Sequence, residues 1–211
     1  MCGALPSKVY LAGTDMTVFD PVCAKANPGP VYAQDNEVNG DGTLPNVLVH
    51  VKSGAGKYAF TKPAEPVTLD QAGCVYKPHV LGIMAGRTLK VISNDATTHN
   101  VHAMPRNNAE WKPSQPPGAA PIEKTFTNPE VMIATMCNQH PWMRAYVGVV
   151  GNPFYAVTGD DGTFTIKGLP PGTCTIEAWS AIDGGEGRTQ DQQLTIAPRG
   201  SKKVDFTFKI S

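Results

Sequence analysis

Apolar and polar positions along this chain alternate over short runs. "PNVLVHVKSG" (45–54), "GRTLKVISND" (86–95), "HNVHAM" (99–104), "IEKTFTN" (122–128), "EVMIATMC" (130–137) and "RAYVGVVG" (144–151) are rich in β-branched and aromatic residues and are bounded by Gly, Pro, Asn or Asp. "FYAVTG", "GTFTIKGL", "CTIEAWS", "QDQQLTIAP" and "KKVDFTFKI" continue the pattern toward the C-terminus. Period two with turn residues between the runs predicts strands, and no stretch combines helical spacing with caps. The expected class is all-β, built as one or more antiparallel sandwiches. "MPRNNAEWKPSQPPGAAP" (104–121) carries Pro105, Pro113, Pro116, Pro117 and Pro121 and reads as a long surface loop, because proline donates nothing to a ladder.

Composition narrows the partners. Lys plus Arg and Asp plus Glu both number 18, so no net field favours nucleic acid or an anionic membrane. No apolar run approaches the ~18 residues of a membrane span. The opening "MCGALPSKVYLAGTDMTVFD" lacks the basic start and apolar stretch of a signal peptide, as a mature chain behind an added Met1 would. Cysteines stand at Cys2, Cys23, Cys74, Cys137 and Cys174. With Cys137 taken by a metal, the other four allow three pairings that spacing does not rank. A bond among them implies export, since cytosolic thiols are kept reduced.

The chemistry concentrates in "MCNQHPWM", which spaces Cys137, His140 and Met143 three residues apart. Two imidazoles, one thiolate and a weak axial thioether suit copper that cycles between two oxidation states. Zinc is the competitor, but its sites favour Cys, His and carboxylates over a thioether. The missing donor is found upstream in "DATTHNVHAMP", which offers His99 and His102. In an extended segment His99 and Val101 face one way and Asn100 and His102 the other, so only one of the two histidines enters a given layer. His50 and His79, each single on a predicted strand, read as structural, as does His102.

"HNV" followed by "CNQHPWM" resembles the cupredoxins, or small blue copper proteins, over roughly residues 66–152. The two-residue gap before Met143 is similar to the short ligand loop of amicyanin-like members. The resemblance implies a Greek-key β-sandwich holding one copper ion, with His99, Cys137 and His140 as trigonal ligands and Met143 as the long axial one. It implies that Asn100 bonds across to the ligand loop. His140 would reach the surface as the electron port, within an apolar patch supplied by Pro141 and Trp142. More narrowly, "GCVYKPH", "HNVHA", "CNQHPWM" and "PPGTCTIEAW" resemble a group of exported bacterial plastocyanin-like proteins, some labelled methylamine-utilisation proteins. A Cys23–Cys74 bond fits that group's pattern. Cys174, where the group tends to have an aromatic, and Ser180, where histidine is frequent, depart from it.

"TGDDGTFTIKGLPPGTCTIEAW" (158–179) resembles a carboxypeptidase regulatory-like, or transthyretin-like, sandwich, and its "DDG" and "PPG" turns give the same hairpin reading unaided. Residues 153–211 are short for such a domain, so strands from 1–65, including "KVYLAG", are expected to complete it. The copper domain is then either inserted into a split sandwich or arranged in tandem with it. The function expected is a non-enzymatic one-electron carrier working with a redox protein such as a c-type cytochrome or a dehydrogenase. Its place is the periplasm or cell exterior, with Cys2 a candidate lipid attachment point. The alternatives are a copper-delivery or adhesion module, and an enzyme using a second copper at His50, His79 and His102.

Overall fold

The alternating runs become strands, and the strands form two separate units. The computed structural model describes residues 20–209 apart from 28, 30, 32–33, 36, 57 and 183–186, so Cys2 and the "KVYLAG" run lie outside the described residues. One unit comprises Lys62–Gly151 with the segment ending at Gln34, and the other Asp35–Thr61 with Asn152 onward. In chain order the elements begin with α1 (Pro21–Ala26), β1 (Leu48–Ser53), β2 (Val67–Gln71), β3 (Tyr76–Lys77), β4 (Val80–Met84), β5 (Thr88–Ser93), β6 (His99–Asn100) and β7 (His102–Met104). They continue with β8 (Ser114–Gln115), β9 (Ile122–Thr125), β10 (Glu130–Met136), β11 (Arg144–Val150), β12 (Tyr155–Val157), β13 (Gly172–Ser180) and β14 (Arg188–Ile196).

The unit around Lys62–Gly151 is a β-sandwich with sheets β4-β11-β10-β7 and β3-β2-β5-β9. A single apolar cluster joins Leu69, Leu89 and Val91 of one sheet to Ile83, Ile133 and Val147 of the other, with Phe126 among them. Pairing is not wholly antiparallel as expected: β2 runs parallel to β5 and β4 parallel to β11. Parallel neighbours need a crossover rather than a hairpin, and the chain between β2 and β5 provides it by passing through β4 in the opposite sheet.

Two other expectations are corrected. A helix does form, α1, with Asp20 as N-cap accepting from the Val22 and Cys23 amides and Pro21 in the first turn, where no N–H is needed. Cys23, buried on this helix, is disulfide-bonded to Cys74. The proline-rich loop is also not all surface. Within it β8 pairs with β6, and the buried Gln115 amide accepts from Gln71 Nε2 at 2.7 Å and donates to the Ala120 carbonyl at 3.1 Å.

The second unit carries the sheet β12-β1-β13-β14. Val49 and Val51 pack with Phe154, Ile176 and Ala178 on one face. Segments 162–169 and 202–209, expected as strands, enter no ladder. Phe164, Val204, Phe206 and Phe208 still pack against this cluster. The Gln192 side chain donates to the Asp205 carbonyl at 2.6 Å, so side chains replace part of the backbone pairing. Glu177 is buried on β13 between His50 (3.0 Å) and Lys52 (2.6 Å).

Two stability outcomes follow. Phe126, 1% exposed in the sandwich core, should cost about 3–5 kcal/mol when changed to Ala, read by denaturant unfolding. His50 beside Glu177, and Lys52 after it, outweigh burial and hold the Glu177 carboxyl down at about 2, against 4.5 ordinarily. Its contribution is full above pH 4.5 and is lost as pH falls through 2. Glu177→Gln should therefore destabilise the protein at pH 7 and much less at pH 2, in matched unfolding curves.

Candidate metal centre

Period two along the end of β10 buries Ile133, Thr135 and Cys137, so the cysteine emerges from the strand pointing inward. The following loop is closed by its own backbone: Met143 N donates to the His140 carbonyl at 2.9 Å and Cys137 N to the Met143 carbonyl at 3.1 Å. Asn100 holds it from the side, its Oδ1 accepting from Asn138 N at 2.8 Å. Tyr76 in turn donates its hydroxyl to the Asn100 carbonyl at 2.6 Å.

His99 on β6 is fully buried, and its strand is fixed by pairing with Gln115. His102 faces elsewhere and engages Glu110 at 2.7 Å and Asn138 at 3.1 Å. His99 Nδ1 lies 2.8 Å from His140 Nδ1, which lies 3.5 Å from Cys137 Sγ. One donor atom from each of His99, Cys137 and His140 thus falls within 4.8 Å of the others. Met143 is fully buried in the apolar cluster that also holds Cys137 and Trp142.

The outer nitrogens are engaged by carboxylates that sequence reasoning missed. Asp95 Oδ2 is 2.9 Å from His99 Nε2, and Asp20 Oδ2 is 3.1 Å from His140 Nε2. Each carboxylate therefore leaves an inner Nδ1 as the donor facing the sulfur. Asp95 stands four residues before His99, and Asp20 sits in an Asp-Pro helix start, a signal that the sequence does carry. Two further metal-capable groupings, Asp20 with Cys23 and His140 and Cys74 with Asp95 and His99, each rely on a sulfur tied up in the disulfide.

The proposed electron port differs from its expectation. His140 is 3% exposed, because Asp20 at the start of α1 meets its outer edge. Trp142 is 5% exposed, its ring 5.1 Å from that of His140 and its Nε1 donating to the Cys74 carbonyl at 2.9 Å. Pro141 between them is exposed.

Burial pushes the Cys137 thiol up, but bonds from His140 and His99, with the Asn100 and Gln139 amides, more than offset it and hold it at about 5. Burial pushes His99 down, while Asp95 and Cys137 outweigh it and raise the imidazole to about 9. Without a metal, the pair at neutral pH is a thiolate beside an imidazolium. Soft sulfur as thiolate, two imidazoles and a dry surround fit copper.

No protein-family model matches the chain, and no curated protein matches it. Among solved structures, amicyanin from Paracoccus versutus aligns at 22% identity over 48% of this chain and 97% of its own, with a TM-score of 0.37. A purple cupredoxin from Nitrosopumilus maritimus aligns at 22% identity over 40% of this chain and 99% of its own, with a TM-score of 0.34. The copper-containing nitrite reductase of Thermus scotoductus aligns at 22% identity over 48% of this chain, TM-score 0.38, and only 25% of its own length is spanned.

Metal uptake at neutral pH must displace the proton on His99. Apparent affinity should rise as pH climbs from 6.5 toward 9, with about one proton released per ion, in titrations across buffers of differing ionisation heat. The same shift stabilises the metal-free fold below pH 6.5, and that contribution fades as pH rises through 9.

Proposed function

We propose that this chain is a blue copper protein that passes single electrons between redox partners in the cell envelope, with His99, Cys137, His140 and Met143 holding one ion. The observation that carries the reading is the convergence of Nδ1 of His99, Nδ1 of His140 and a depressed-pKa Cys137 Sγ in one buried cluster. Copper in such a donor set supplies a one-electron couple between its two oxidation states.

The chain's own residues do the rest. Asn100 and the loop's backbone bonds resist rearrangement of Cys137 and His140 when the charge at the site changes. Burial of His99, Cys137 and Met143 excludes water and favours a resident ion over exchangeable cargo. Pro141, exposed between the buried His140 and Trp142, marks the nearest surface toward which a partner such as a c-type cytochrome or a dehydrogenase would dock. The histidines a second copper would need are dispersed: His50 meets Glu177, His79 Nδ1 faces the Arg144 carbonyl at 3.1 Å and His102 meets Glu110. Among the described residues these three join no group of metal-capable side chains.

The disulfide supports an oxidising compartment, periplasmic or extracellular. We also infer that the second unit is a carboxypeptidase regulatory-like sandwich into which the copper unit is inserted, a reading supported by its assembly from segments on both sides of Lys62–Gly151.

Copper-loaded protein should bind one ion per chain, show an intense visible thiolate-to-copper band and exchange electrons reversibly with a c-type cytochrome. Cys137→Ser should abolish the band. Colourless Cu(II)-loaded protein, or a band indifferent to Cys137→Ser, would falsify the reading.

A further inference from the structure

Both histidines lean on carboxylates, and both carboxylates are tied to one turn. Asp95 accepts from the Gly73 amide at 2.6 Å and the Cys74 amide at 2.8 Å, while its Oδ2 meets His99. The same turn is gripped by α1 at two points. Cys23 is bonded to Cys74, and Asn27 Nδ2 at the helix end donates to the Gly73 carbonyl at 2.7 Å.

At the other end of α1, Asp20 divides its oxygens. Oδ1 caps the helix, accepting from Val22 N at 2.7 Å and Cys23 N at 3.3 Å. Oδ2 accepts from the Thr97 hydroxyl at 2.7 Å and faces His140 Nε2 at 3.1 Å. Thr97 lies two residues from Asp95, so the two carboxylates share supports on both sides.

We propose that Asp20 is a positioning residue for His140, delivered by a helix that the Cys23–Cys74 disulfide anchors. It engages His140 Nε2, leaves Nδ1 on the side of Cys137 for the ion and closes the outer edge of the ring to water. This rests on the copper reading above. The physical basis is general: a charge-assisted bond at one imidazole nitrogen selects the tautomer that leaves the other free to ligate. The disulfide matters because a six-residue helix has little stability of its own and must be held in place from outside.

The test uses the full chain and two readouts. Cu(I) affinity is measured by competition with a chromophoric chelator, and the His140 ring by nitrogen-15 NMR of the Cu(I)-loaded protein. Asp20→Ser keeps a capping hydroxyl but withdraws the oxygen from His140, whereas Asp20→Asn keeps the cap with its one oxygen and turns an NH2 toward the ring. Asp20→Ser, Asp20→Asn and the double variant Cys23→Ala with Cys74→Ala should each bind Cu(I) about 10- to 100-fold more weakly. In the Cu(I)-loaded protein the His140 Nε2–H should exchange slowly with solvent in the parent and quickly in Asp20→Ser, with His99 unchanged.

A Cu(I)-loaded parent in which His140 ligates through Nε2 and carries its proton on Nδ1 would overturn the proposal without any variant having to fold. So would a folded Asp20→Asn or Asp20→Ser protein with parental Cu(I) affinity and parental Nε2–H exchange. A parent that binds no Cu(I) overturns the copper reading, and the role of Asp20 falls with it.

Discussion

An imidazole whose outer nitrogen is held by a carboxylate has only its inner nitrogen left to offer. That constraint acts twice in this protein, through Asp95 on His99 and Asp20 on His140, and it turns both Nδ1 atoms toward the sulfur of Cys137. Burying a thiolate, an imidazolium and two carboxylates separately would be prohibitive. Here each has an opposite charge or N–H donor within hydrogen-bond reach, so the cluster is stable as a set and intolerant of losing one member. The low thiol pKa of Cys137 and the high pKa of His99 are two expressions of the same pairing.

The sandwich exists to hold this cluster still. Strand alternation on β10 aims Cys137, ladder pairing with β8 aims His99, and Asn100 fastens the ligand loop to β6. Beneath them a close-packed apolar cluster spans both sheets, so a shift of any donor would open a void or force a clash. Backbone bonds and packing rather than flexible side chains hold the site, as the proposed electron carrier would require.

Much of the strand content was legible because period two survives tertiary packing. "EVMIATMC" and "RAYVGVVG" became β10 and β11 almost residue for residue. Residue chemistry and strand parity admitted only one of His99 and His102 beside Cys137 and His140, and the family resemblance rather than parity pointed to His99. The parallel pairings were not, since a crossover leaves no local trace in either strand. Residues 202–209 alternate like a strand yet bond through glutamine side chains, a choice made by tertiary contacts. Asp20 and Asp95 were missed for a different reason. A carboxylate that supports a ligand needs only one oxygen in the right place, and no spacing rule encodes that. The short α1 was hidden because six residues are too few for helical periodicity, although Asp20-Pro21 marked its start.

The central claim is that one sulfur and two imidazole nitrogens converge on a single ion. X-ray absorption at the copper edge of loaded protein tests it most directly, beside the same measurement on His99→Gln. The account predicts a first shell of one short copper–sulfur and two copper–nitrogen distances, with one nitrogen replaced or lost in the variant. A shell of oxygen and nitrogen without short sulfur, or one unaltered by the loss of His99, would contradict it.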